Sequence, residues 1–178
     1  FLIGLGLDMH VKDSRGLTCL HLAVVCNTEE IVQLFIDLGL AIHAKTNDGV
    51  TCLHLAVVCN KEEMVQFFID LGFDIHDKDN NGATCLHYAA ENSSKEMVQL
   101  LIDLGFDIHA KDNNGATCLH CAAEFNSKEI VQLLIELGLD IHAKDNEGRT
   151  CLHLAALSNK EEIVQLLKDQ DAHKEPRL

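Results

Sequence analysis

The tetrapeptide Thr-Cys-Leu-His occurs five times, at Thr18, Thr51, Thr84, Thr117 and Thr150, so that each copy starts 33 residues after the last. No insertion or deletion breaks the period. Self-similarity at a fixed period of about 20–50 residues marks a repeat architecture, in which each unit buries its apolar face only against its neighbours. A length of 178 residues would otherwise suggest one ordinary domain. The period predicts instead an all-α repeat solenoid, whose function resides in a surface rather than in a catalytic pocket.

One unit, residues 79–111, shows the local logic. Asp79-Asn80-Asn81-Gly82 is a turn in which glycine can take positive φ. Thr84 is a natural N-cap for a short first helix with Leu86, Ala89 and Ala90 inside, ended by Asn92 and Ser93. Glu96 then sits near the start of a second helix, where a carboxylate suits the helix dipole. Met97, Val98, Leu100, Leu101 and Leu104 form its apolar stripe, and Gly105 closes it. The units run 13–45, 46–78, 79–111, 112–144 and 145–177. Residues 1–12 repeat the end of a preceding unit, which suggests a fragment of a longer array. In the last unit Lys168-Asp169-Gln170-Asp171 replaces the apolar ending, as a degenerate C-terminal cap would.

Composition narrows the partners. The net charge is −14, so nucleic acid and anionic membrane are poor matches, and no apolar run approaches the ~20 residues of a membrane span. Eight cysteines would permit a disulfide scaffold by count alone. Their spacing argues otherwise. Cys19, Cys52, Cys85, Cys118 and Cys151 share one repeat position, placing consecutive members one helix layer apart, roughly 10 Å. A disulfide needs Cα atoms within about 7 Å. Reduced thiols and an intracellular, cytoplasmic setting are expected.

The segments Gly82-Ala83-Thr84-Cys85-Leu86-His87-Tyr88-Ala89-Ala90, Met97-Val98-Gln99-Leu100-Leu101 and Gly105-Phe106-Asp107-Ile108-His109 resemble the ankyrin repeat family over essentially the whole chain. The resemblance implies a helix–turn–helix plus a β-hairpin per repeat, and protein–protein recognition without catalysis. It also implies contacts through the hairpin tips and the first-helix face. Several positions depart from the family pattern. Cys stands for Pro in all five tetrapeptides, at the N1 position where Pro would pre-set φ. His10, His43, His76, His109 and His142 stand for the hairpin Asn, and Leu or Phe follows each second-helix glycine in place of Ala. Asn27, Asn60, Asn126 and Asn159 stand for a mid-repeat Gly, which Asn can mimic because it visits the left-handed region.

The histidines and cysteines invite a chemical interpretation that geometry opposes. Cys and His two apart on a helix diverge by roughly 200°, so they cannot hold one ion together. The histidines of the tetrapeptides are expected to brace the turns. Cys118-Leu119-His120-Cys121 is a C-x-x-C at a helix start, where the dipole could lower a thiol pKa, but no second pair completes a zinc site. No nucleophile–base set, phosphate loop or dinucleotide fingerprint occurs. Asp37, Asp70, Asp103 and Glu136 form a row at one repeat position, as a solvated face does. No enzyme activity, cofactor, metal or small-molecule substrate is expected.

What remains is a surface for a protein partner. Carried over position by position, the resemblance places contacts at the tips, Arg15, Asp48, Asn80, Asn81, Asn113, Asn114 and Arg149, and at the first-helix ends, Val25, Cys26, Val58, Cys59, Glu91, Phe125 and Leu157. Val25, Cys26, Val58 and Cys59 would form an apolar patch across two repeats, and Phe125 is aromatic where its counterparts are Cys, Asn or Ser. The alternative is a structural spacer within a longer array, without a dedicated partner.

Overall fold

The computed structural model describes residues 11–26, 29–125 and 128–174. Among these residues there are ten helices and no strand. The chain divides into two compact units, Phe1–Asn80 and Asn81–Leu178. In the first unit α1 (Cys19–Cys26) packs on α2 (Glu29–Asp37) and on α3 (Cys52–Val58), and α3 packs on α4 (Glu62–Asp70). In the second, α5 (Cys85–Asn92), α7 (Cys118–Phe125) and α9 (Cys151–Leu157) pack side by side as one layer. The second helices form the other layer: α6 (Lys95–Asp103) and α10 (Glu161–Lys174) both flank α8 (Lys128–Glu136). Within each unit the main contacts of the described helices are with their neighbours, the contact pattern of stacked repeats.

Small residues make the first-helix layer thin. Ala89, Ala90, Ala122 and Ala123 are fully buried, and so are Leu86 and Leu119 beside them. From the second helices Met97, Val98 and Leu101, then Ile130, Val131 and Leu134, close the core. Leu100 and Leu104, expected in that stripe, are only half-buried, because they lie at the flanks of a face centred on Val98 and Leu101.

The second helices stop where glycine allows the chain to reverse. Gly72 has φ 86°, its N–H donates to Ile69 O at 2.9 Å, and Phe73 N–H donates to Phe68 O at 3.0 Å. This pair of bonds is the Schellman motif, which favours a hydrophobic residue directly after the glycine. Leu40, Phe73, Phe106 and Leu139 occupy that position and are all buried. The same device closes α3 and α9 without glycine. Asn60 (φ 54°) and Asn159 (φ 56°) take the left-handed conformation, and Lys61 and Lys160 N–H bond back to Ala56 and Ala155 O. Asn27 and Asn126 lie outside the described residues. The third repeat has Ser93 instead, which stays extended (φ −107°, ψ 179°), and Ser94 caps α6 by accepting from Met97 N–H at 3.2 Å.

The expected β-hairpin is present only as a tight turn, closed by bonds such as Asp112 N–H to Ala116 O at 3.0 Å. Main-chain groups within these turns bond sideways, to the neighbouring repeat. Asn47 N–H donates to Arg15 O, Asn113 N–H to Asn81 O and Asn146 N–H to Asn114 O, each within 2.8–2.9 Å. Gly16 is required by this closeness as well as by its φ of 81°: a Cβ there would lie 2.6 Å from Asn47 N.

The cysteines at N1 follow threonines already set for proline. Thr51 has φ −98° and ψ 169°, the extended conformation a following proline demands, and the N1 amide is one a helix leaves without an internal partner. Cys52→Pro should therefore raise stability by about 0.4–1 kcal/mol, through a stiffer unfolded chain. Urea denaturation measures this; an unchanged or lower midpoint would contradict it.

Candidate functional site

Every described tetrapeptide folds into the same clasp. Thr51 N–H donates to His54 Nδ1 at 3.3 Å, Thr51 Oγ1 lies 2.8 Å from that nitrogen, and His54 N–H returns to Thr51 Oγ1 at 3.4 Å. Thr18–His21, Thr84–His87, Thr117–His120 and Thr150–His153 repeat the Thr N–H to Nδ1 bond at 3.2 Å. An Nδ1 that accepts a backbone N–H carries no proton, so the proton resides on Nε2. In two of the repeats it is directed at the next one. His87 Nε2 meets Ala116 O at 3.1 Å, and His120 Nε2 meets Ala143 O at 3.1 Å and Arg149 O at 3.3 Å. Burial lowers the pKa of His21 and of His120, against the opposing pull of the backbone at Val50 and Ala44 in one case and Arg149 and Ala143 in the other. Burial thus favours neutral His21 and His120, and His87 and His120 brace the following repeat. Among the described residues no group of three or more His, Cys, Asp or Glu is placed to hold a metal ion.

All eight cysteines are free thiols. Burial pushes the Cys52 and Cys118 thiols up to about 12 and the Cys151 thiol up to about 11. Cys121 is raised as well, by burial first and then by Cys118, Glu91 and other acidic neighbours. The C-x-x-C pair therefore moves opposite to what a helix start alone would do, because desolvation outweighs the dipole. The thiols also show how Cys substitutes for Pro. Cys118 Sγ donates to Ile108 O at 3.5 Å and Cys151 Sγ to Ile141 O at 3.2 Å, which tethers the helix start to the preceding connection.

The surface residues fall into the two units. In the first, Arg15 is exposed and pairs with Asp13 at 3.3 Å. Val25 and Cys26 are exposed at the end of α1, whereas Val58 and Cys59, at the equivalent end of α3, are half-buried. Lys61 Nζ closes the end of α1, donating to Val24 O at 2.7 Å and Val25 O at 3.2 Å. Asp48 and Asn80 are exposed at the tips. Asn80 is nevertheless engaged: its Nδ2 donates to Asn47 O at 2.8 Å, just as Asn47 Nδ2 donates to Ser14 O at 2.9 Å.

In the second unit Asn81, Asn113 and Asn114 are exposed. The main-chain carbonyls of Asn81, Asn113 and Asn114 accept from the following repeat, Asn113 from Asn146 Nδ2 at 3.0 Å. Arg149 is half-buried and held by Asp145 at 2.8 Å and Glu147 at 3.0 Å. Phe125 is 51% exposed and Leu157 69% exposed, at the ends of the adjacent helices α7 and α9. Lys160 Nζ closes the end of α7 at Phe125 O, 3.3 Å away. Glu91, at the end of α5, is half-buried, and its carboxyl is raised above the ordinary range by burial and by the charge of Glu124, with Asn92 opposing. The side-chain bridges between tips escaped the sequence, though an Asn recurring at 47, 80, 113 and 146 was their visible trace.

A family model described as ankyrin repeats, in three copies, matches residues 1–79, 38–112, 66–145 and 86–177. The chain belongs to the ankyrin repeat family. Its all-α repeat fold is that family's, and ankyrin repeats generally serve as protein–protein interaction modules without enzymatic activity. No curated protein matches the sequence. No helix among the described residues is long and apolar enough to cross a membrane.

Two outcomes follow from the titrating groups. His21 and His120 are neutral when folded and protonate more readily when unfolded, so the unfolded state binds more protons below about pH 6.5. Their contribution is complete above that value and is lost as pH falls below it. The urea midpoint should drop between about pH 7 and about pH 5.5, and His120→Gln should lower it at pH 7 while flattening the pH dependence. A variant that keeps the full dependence would exclude His120. Alkylation of the native protein should modify exposed Cys26 first and spare buried Cys52, Cys85, Cys118 and Cys151 until unfolding. Rapid native modification of Cys118 would contradict its burial.

Proposed function

We propose that this ankyrin array binds a protein partner through the tips and first-helix ends, the concave surface of the family, in the cytoplasm. The observation that carries the proposal is the exposure of Phe125 and Leu157 at neighbouring helix ends in the second unit. An exposed aromatic beside an exposed leucine supplies the apolar anchors that dominate protein interfaces. Glu91 and Glu124 beside them add negative charge, suited to a partner with a basic residue next to its apolar ones. In the first unit Val25 and Cys26 are the corresponding anchors, with Val58 and Cys59 contributing partly covered surface. Arg15, Asp48, Asn81, Asn114 and Arg149 line the tips, and Asn80 and Asn113 stand among them. The acidic net charge supports a protein partner over nucleic acid or an anionic membrane. Free buried thiols support a reducing compartment.

One observation favours the spacer alternative. The amide nitrogens of Asn47, Asn80 and Asn146 are spent on carbonyls of the preceding repeat, which makes part of the tip row scaffold.

The double variant Phe125→Asp/Leu157→Asp separates the two. Both side chains are exposed, so stability should stay within about 0.5 kcal/mol of wild type. Affinity capture followed by mass spectrometry should then lose the partners that wild type retains. Equal capture by a folded double variant would remove these anchors from the surface and leave the spacer.

A further inference from the structure

One repeat position carries lysine in two repeats and a small hydroxyl residue in the other three: Thr28, Lys61, Ser94, Ser127 and Lys160. Lys61 Nζ donates to Val24 O at 2.7 Å and to Val25 O at 3.2 Å, at the end of α1. Lys160 Nζ donates to Phe125 O at 3.3 Å, at the end of α7. Both of these helix ends carry exposed apolar side chains, Val25 (43% exposed) with Cys26 in one and Phe125 (51% exposed) in the other. The ends of α3 and α5, followed in sequence by Ser94 and Ser127, carry half-buried Val58 and Cys59 in one and Glu91 and Asn92 in the other. Lysine and exposed anchor thus occur together.

Each lysine is set at both ends. Asn60 and Asn159 take the left-handed conformation, and Lys61 and Lys160 N–H bond back to Ala56 O at 3.0 Å and Ala155 O at 2.9 Å. The lysine backbone is thereby fixed at the end of its own first helix, and its ammonium reaches the end of the first helix before it. Neither α1 nor α7 has a basic residue in its own last turn, and α7 has Glu124 there. The carbonyls that a helix leaves over at its C-terminus form its negative pole, which a cation stabilises and a carboxylate does not. The cation that suits these two ends comes from the following repeat.

We infer that Lys61 and Lys160 are positioning residues of the recognition surface: each holds the helix end from which the preceding repeat presents its anchor. The inference rests on the reading of Val25, Cys26 and Phe125 as anchors. It adds that an anchor and the group that orders it belong to consecutive repeats. An aromatic side chain on a loose helix end must be ordered when a partner binds it, whereas one on a held end is ordered beforehand. The lysine therefore acts on affinity through the anchor, by its charge at the carbonyl end of α1 or α7.

The test uses the full chain and two readouts. The first is NMR-detected hydrogen exchange of the last-turn amides of α7. Lys160→Met keeps the length of the stem and removes the charge, and these amides should exchange about two- to fivefold faster, the equilibrium equivalent of one cation at a helix end. Lys160→Arg should restore the wild-type rate. Lys144→Met, which removes an exposed lysine elsewhere in the same unit, should leave it unchanged. In the wild type these amides should also exchange faster as salt rises from about 50 to about 500 mM, which a steric role of the stem would not produce. The second readout is fluorescence anisotropy of Phe125→Trp, which reports that side chain alone because the chain has no tryptophan of its own. Its fast local motion should increase with Lys160→Met and not with Lys144→Met, while circular dichroism matches wild type. Exchange and anisotropy that Lys160→Met leaves unchanged in a folded protein would overturn the inference and leave the anchors standing. Faster exchange together with equal capture of partners by Phe125→Asp/Leu157→Asp would reduce Lys160 to a helix cap and overturn its role in recognition.

Discussion

The threonine–histidine clasp joins the two levels of this structure. At each repeat the threonine backbone N–H is spent on imidazole Nδ1, which fixes the first helix start and, by elimination, the tautomer. The proton left on Nε2 is then available to a carbonyl of the following repeat, as at His87 and His120. Capping and stacking thus share one side chain. A group that must stay neutral to serve both neighbours gains from burial, which disfavours its charged form. The apolar packing and the hydrogen-bonded clasp reinforce each other: the burial that excludes water also favours the uncharged imidazole at His21 and His120.

Much of this was legible in the sequence because it depends on residues near each other in the chain. A cap three residues from its partner, a left-handed residue after a helix and a glycine in a turn are all local. Asn60 and Asn159 adopt the left-handed conformation that substitution for glycine requires. What the sequence did not disclose depends on the neighbouring repeat. The asparagine side chains that bridge tips, the lysines that reach the carbonyls of the preceding first helix, and the main-chain bonds between neighbouring turns all link residues about 33 positions apart. The surface was no more legible: Val25 and Val58 are identical by pattern, yet one is exposed and the other half-buried.

The substitutions that set this chain apart from the family pattern are not independent. With cysteine at N1 the helix start loses the rigidity of proline, but the thiol acquires a bond to the preceding connection, at Ile108 and Ile141. With leucine or phenylalanine after each closing glycine, the Schellman turn buries a larger side chain than alanine. Phe73 stacks on Phe68 with ring centroids 4.7 Å apart, and on His43 at 4.9 Å. That contact gives a place to one histidine that stands where the pattern has asparagine. Each replacement adds side-chain contact between connection and helix, and at N1 the added contact comes in exchange for backbone pre-organisation.

That exchange bears on where recognition can reside. A scaffold that spends its thiols, imidazoles and tip amides on its own repeats has few polar groups left for a partner. Under the proposed function, selectivity comes from positions where one repeat differs from the next, such as Phe125 and Leu157 on the first helices. Each differs from its counterparts in size, charge or coverage, and none contributes a hydrogen bond to the clasp. Change at such positions costs little stability, since exposed side chains pack against little. An array with identical rungs can acquire a binding surface there without disturbing the hydrogen bonds that hold it together.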